Sequence, residues 1–234
     1  MLRPNLILAL AMAAAASGGA PRTARAQSQP LVKSSGAPVP EGPRTIDGIA
    51  ARVEDDVITE SEVSELSAFQ QLVDGEGRSR EEVIRELADQ WVVRQEAAAT
   101  SYRQPSDEEV DRAYDQLVRQ FHSRAEFESR IAAVGLSEAA VRRLLGEQLY
   151  LSRFLDYRFR PAAQIDQSQI ETYYQEEFTP QLKARGETIP PLEEVEDTIR
   201  EVLVQRAIDQ RATKWLDETR DRLRIDILPE GAGP

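Results

Sequence analysis

The last apolar alternation in the chain, Arg224-Ile225-Asp226-Ile227-Leu228, is a short strand pattern at the far end of a sequence whose other long segments read as helices. A strand leaves its outward backbone donors and acceptors unpaired unless another strand lies beside it. Only Ile46 to Val63, IDGIAARVEDDVITESEV, supplies candidates. There Ile49, Ala51 and Val53 alternate, Glu54-Asp55-Asp56 reads as a tight acidic turn, and Val57-Ile58 resumes the extended pattern. The two ends of the chain are therefore expected to meet in one small sheet that clamps a mainly α body.

The body is marked out by helix-start chemistry. Thr59 with Glu62, Ser79 with Glu82, Ser106 with Glu109 and Ser123 with Glu126 have the spacing at which a cap hydroxyl and a carboxylate satisfy each other's backbone amides. Asp166 with Gln169 is a weaker version, and Ser137 caps alone. Behind these caps run stripes at helical spacing: Val83, Leu87 and Trp91; Val110, Tyr114, Leu117, Val118 and Phe121; Val141, Leu144, Leu145 and Leu149; Val195, Ile199, Val202 and Leu203. Helices are expected near 60–73, 80–99, 107–121, 124–133, 138–159, 167–177 and 192–223.

Ahead of the body lies an address. Arg3, the apolar run Leu6 to Ala16 and the small-x-small site Ala24-Arg25-Ala26 form the pattern of a cleavable secretion signal over residues 1–26. Export to the periplasm is the expectation, and the apolar run is too short to span a bilayer, so no stable membrane insertion is expected. Residues 27–45 hold Pro30, Pro38, Pro40 and Pro43 without apolar periodicity and read as a disordered lead, while 229–234 is a tail. With no cysteine in the chain, neither a disulfide nor thiolate chemistry is available.

The chain carries 29 Lys+Arg against 41 Asp+Glu, a net charge of −12, and its bases are interspersed with acids on every amphipathic segment. A nucleic-acid partner would need a basic stripe, and none is visible. No cofactor or metal is expected. One histidine without cysteine makes no zinc pattern, and the glycine-rich loops that cradle nucleotide phosphates are missing. His122 reads as a solvated ring at a helix end. Asp107, Asp111 and Asp115 read as an acidic stripe rather than a cation site, and Asp55 and Asp56 as turn formers.

Several segments together carry a family resemblance. They are the strand, hairpin and capped helix behind a signal; the helix with Leu87, Trp91 and Val92; PSDEEVDRAYDQLVRQF from Pro105 to Phe121; and SRAEFESRIAAVGLSEAAVRRLLGEQLYLSRFL from Ser123 to Leu155. This run resembles the N-terminal chaperone domain of the SurA family. QIETYYQEEF, Gln169 to Phe178, is similar to the segment that precedes the isomerase module in relatives of that family. The resemblance spans 46–228, with an N-terminal core over 46–160, a short helix and loop over 161–191, and a long return helix with the final strand over 192–228. In those relatives a parvulin-type prolyl isomerase domain sits near where this chain has only Thr179 to Pro191, a stretch too short to fold into one and lacking histidine.

The resemblance thus implies an ATP-independent holdase for unfolded polypeptides, outer-membrane protein precursors above all, without isomerase activity. The alternatives are a prolyl isomerase with an atypical site and a non-catalytic adaptor or dimerisation protein. Candidate client contacts come from the residues themselves. In Tyr150 to Phe159, Leu151, Leu155 and Phe159 form one stripe, and Tyr150, Phe154 and Tyr157 a second. Both cannot pack easily on one small core, so the second is either buried between lobes or lines a groove for extended apolar polypeptide. Tyr173, Tyr174 and Phe178 on the following helix belong either to the core or to the same wall.

Overall fold

A computed structural model describes residues 47–231. The expected signal (1–26) and lead (27–45) lie outside the described residues, as does the end of the tail.

The sheet forms from both ends of the chain. Strand β1, Ile49–Val53, is central, with β2, Asp56–Thr59, on one side and β3, Ile225–Ile227, on the other, both antiparallel to it. Glu54 takes a left-handed conformation in the hairpin turn, with φ 51°. Its N–H donates to the Arg224 carbonyl at 3.0 Å, and the Leu228 N–H donates to the Ala50 carbonyl at 2.9 Å, so β3 is bonded at both of its ends. The Arg80 guanidinium donates to the Leu228 carbonyl at 3.0 Å and also pairs with Glu60, tying the strand's exit to two helix starts.

The remainder is helical: α1 Glu60–Asp74, α2 Arg80–Ala99, α3 Asp107–Val118, α4 Arg124–Ala133 and α5 Glu138–Phe159. A 3-10 turn at Arg160–Ala162 follows, then α6 Gln167–Tyr173, a π-helical turn Tyr174–Phe178, α7 Thr179–Arg185 and α8 Leu192–Arg220. The reciprocal caps form at Thr59/Glu62, Ser79/Glu82 and Asp166/Gln169. At Ser123 the cap works in one direction only, because the Glu126 carboxylate takes the His122 N–H instead, at 3.1 Å.

Three apolar clusters hold the body together. One seats Val53, Ala51 and Ile58 of the sheet on Val83, Ile84 and Leu87 of α2. A second joins α1, α3, α4 and α5 around Tyr114, Phe127 and Leu145. The third packs Val92 and Val93 against Tyr150, Leu151 and Phe154 of α5, with Ala212 and Leu216 of α8 closing it. Helix α8 is about 43 Å long at 1.5 Å per residue, and only its second half takes part. Its first half carries the stripe expected from sequence, yet of Val195, Ile199, Val202 and Leu203 only Ile199 is buried. The α8 residues that enter the third cluster, Ala212 and Leu216, lie beyond that stripe, as does the buried Ile208.

Candidate functional site

The first half of α8, with α6 packed on it and the π turn and α7 continuing from α6, forms an arm over residues 163–204. Proline explains its local shape. Pro180 has no N–H to offer the preceding turn, and its ring clashes with the carbonyl four residues back. The helix widens one turn early, so that the Thr179 N–H reaches back to Tyr174, five residues away, and the chain continues helical through the proline. Thr179 to Arg185, expected as loop, is therefore helix. Gly186 then ends it in the left-handed region at φ 69°, and Ile189-Pro190-Pro191 leads into α8.

The widened turn sets the aromatic geometry. Tyr174 and Phe178 stack with centroids 5.9 Å apart at 24°, and the Tyr174 hydroxyl donates to the Pro190 carbonyl at 2.8 Å. Tyr173, by contrast, lies under the Arg206 guanidinium, 4.7 Å from the ring centre. Arg206 grips Glu177 with two bonds of 2.8 Å, which hold that carboxyl below its usual range. Further arginines fasten the arm's root: Arg160 bonds Glu201 at 2.7 and 3.0 Å and Asp156 at 2.9 Å, and Arg211 donates to the Ala162 carbonyl at 2.7 Å.

Tyr173, Tyr174 and Phe178 are all half-buried, as are Leu182, Ile189 and Leu192 around them. Among arm residues only Ala163, Ile170 and Ile199 reach full burial, and no arm residue joins the three core clusters. The arm's apolar side chains are thus partly covered, and the most exposed large hydrophobics, Val57, Tyr157 and Ile227, lie on the body. In chemical terms the arm can offer aromatic faces and aliphatic edges to an extended chain.

The stripe on α5 divides. Phe154 is 1 % exposed and Tyr150 6 %, both within the third cluster, so the groove reading gives way to core at these positions. Tyr157 is 62 % exposed and stays at the surface. The physical reason is the third cluster, which takes in Tyr150 and Phe154 but not Tyr157, with Tyr102, which sequence reasoning did not single out, laid against all three rings. The Tyr102 ring meets Phe154 edge-on at 5.5 Å and lies 5.9 Å from Tyr150 and 5.3 Å from Tyr157. A signal for it exists in hindsight: Ser101 turns left-handed at φ 52°, and the Tyr102 N–H returns to the Ala97 carbonyl, the helix-ending motif that folds a following apolar residue back onto the helix.

Asp56, read as a turn former, has a second role. Its carboxylate accepts the Trp91 indole N–H at 2.7 Å, locking the hairpin to α2. Asp111 of the acidic stripe pairs with Arg142, and the His122 ring, largely solvated, lies 3.0 Å from Glu126. Among the described residues no group of acidic or histidine side chains is placed to hold a metal, and no helix is long and apolar enough to cross a membrane.

Compared with known proteins, the chain matches no family model, and no curated protein matches it.

Proposed function

We propose that this protein is an exported, ATP-independent holdase that shields unfolded polypeptide, acting in the periplasm in the manner of SurA-type chaperones and taking outer-membrane precursors among its clients. The arm carries this reading: Tyr173, Tyr174, Phe178 and Leu182 are half-covered side chains on an element that contributes nothing to the body's three cores. Aromatic surfaces bind apolar segments with little regard to sequence, which suits a client that is unfolded. Tyr157 and Tyr102, on the body, add a second aromatic contact. Release would be passive or driven by client folding.

The test is suppression of aggregation with several unrelated unfolded clients, compared with the variant Phe178→Ser/Leu182→Ser. Protection by the parent chain and its loss in a variant whose body still melts at the parent temperature is the expected pair of results. Full protection by the variant would move the binding surface off the arm. A proline-peptide isomerisation assay run alongside separates the enzyme reading, since uncatalysed exchange takes tens to hundreds of seconds.

A further inference from the structure

The arm carries a larger excess of acid over base than the body, where exposed Asp107, Glu108 and Asp115 of α3 are likewise without an ion pair among the described residues. On the body, carboxylates between neighbouring helices are met by arginine: Glu65 by Arg143, Asp111 by Arg142, Glu109 by Arg153, Glu96 by Arg158. Between 166 and 197 the sequence holds nine carboxylates against two bases, Lys183 and Arg185. Glu177 and Glu196 are paired to Arg206 and Arg200 of α8, and Asp166 serves as a helix cap. Glu171, Glu176, Glu187, Glu193, Glu194 and Asp197 are exposed and have no ion-pair partner among the described residues. Two of these, Glu193 and Glu194, complement the α8 N-terminus, and Asp197 lies in its second turn. Glu171, Glu176 and Glu187 lie elsewhere, on the rod and connector that carry Tyr174 and Phe178.

Resting on the holdase reading, we infer that the arm's occupant is a basic polypeptide, an apolar or aromatic stretch flanked by lysine or arginine. The half-covered aromatic and aliphatic side chains take the apolar centre. Glu171, Glu176 and Glu187, exposed on the same segment, take the flanking cations and repel an acidic chain that would fit the same apolar side chains. Charge complementarity of this kind sets partner choice and encounter rate more than it adds raw affinity, and it fades as salt rises.

The experiment uses three labelled peptides with one common apolar-aromatic centre, flanked by lysine, serine or glutamate, titrated with the protein at low and high salt. The lysine-flanked peptide should bind about tenfold tighter than the serine-flanked one at low salt, the glutamate-flanked peptide weakest, and the spread should close at high salt. Glu171→Gln/Glu176→Gln/Glu187→Gln should remove most of the preference. Asp107→Asn/Glu108→Gln/Asp115→Asn, on α3, should leave it intact. Equal binding of the lysine and serine peptides at low salt overturns the inference while leaving the holdase reading standing. An equal loss in the α3 variant overturns its assignment to the arm. Failure of all three peptides to bind takes the holdase reading down with it.

Discussion

Arg220 and Asp89, 131 residues apart in sequence, meet through two hydrogen bonds, Nε to Oδ1 at 2.9 Å and Nη2 to Oδ2 at 2.8 Å. They bind the C-terminal end of α8 to the middle of α2. Asp89 is 5 % exposed, and burial pushes its carboxyl above the ordinary range, with Arg220 opposing that rise.

Removing the arginine alone should therefore be costly. Arg220→Met is expected to lose about 3–5 kcal/mol at pH 8 because it strands a buried carboxylate. Without its cation Asp89 titrates higher still. A carboxyl whose folded pKa lies above the unfolded value destabilises the fold at high pH and ceases to do so as pH falls through the folded pKa. The deficit should shrink between pH 8 and pH 5, and Arg220→Met/Asp89→Leu should recover most of it. Urea melts at both pH values measure this; equal deficits at the two would contradict it.

Glu86, one turn earlier on α2 and 5 % exposed, accepts from Gln70 Nε2 at 2.6 Å and from Arg78 Nη1 at 2.7 Å. Burial nevertheless raises its pKa from 4.5 to about 7, with Asp89 and Asp74 adding to the rise. The sign is the same as for Asp89: the ionised form weakens the fold above the folded pKa. Glu86→Gln should gain on the parent by ~3 kcal/mol between pH 4.5 and pH 8. Melting curves that run parallel across that interval would show Glu86 ionised at no cost.

Deleting residues 224–234 removes β3 and with it the outer bonds of β1, the Ile225 contact with the first cluster and the Arg80 anchor on Leu228. The melting temperature should fall by about 5 °C or more, given ~2–4 °C per kcal/mol for a domain of this size. An unchanged melt would mean that the strand does not clamp the body.

The two halves of the α5 stripe should separate cleanly under mutation. Phe154→Ser opens the third cluster and should cost about 3–5 kcal/mol. Tyr157→Ser, at the surface, should stay within about 0.5 kcal/mol. Chemical denaturation of each single variant checks this, and comparable losses would place Tyr157 in the core as well.

What was legible in the sequence was the chemistry that acts over three or four residues. Thr59 and Glu62, Ser79 and Glu82, Asp166 and Gln169 satisfy each other's amides wherever the rest of the chain lies, so the helix starts could be read directly. The β3 strand needed a partner, and only one hairpin was on offer, so the meeting of the chain ends followed by elimination. The segment from Thr179 was expected as loop, and the π turn that lets the helix pass Pro180 leaves little trace in residue type.

Burial was decided by the tertiary structure, because an apolar stripe states only that a face is available and never what covers it. Tyr150, Phe154 and Tyr157 look alike at helical spacing, and the residues of α2 and α8 that meet in the third cluster bury the first two and leave the third in solvent, though Tyr102 touches all three. On α8 the third cluster reaches Ala212 and Leu216 but not Val195 or Val202, so apolar residues become core in one half of a single helix and stay partly exposed in the other. Sequence determined where this chain turns helical and that its ends must pair. The supply of neighbouring atoms, which depends on how distant segments meet, determined which of its apolar residues are hidden and which stay partly exposed.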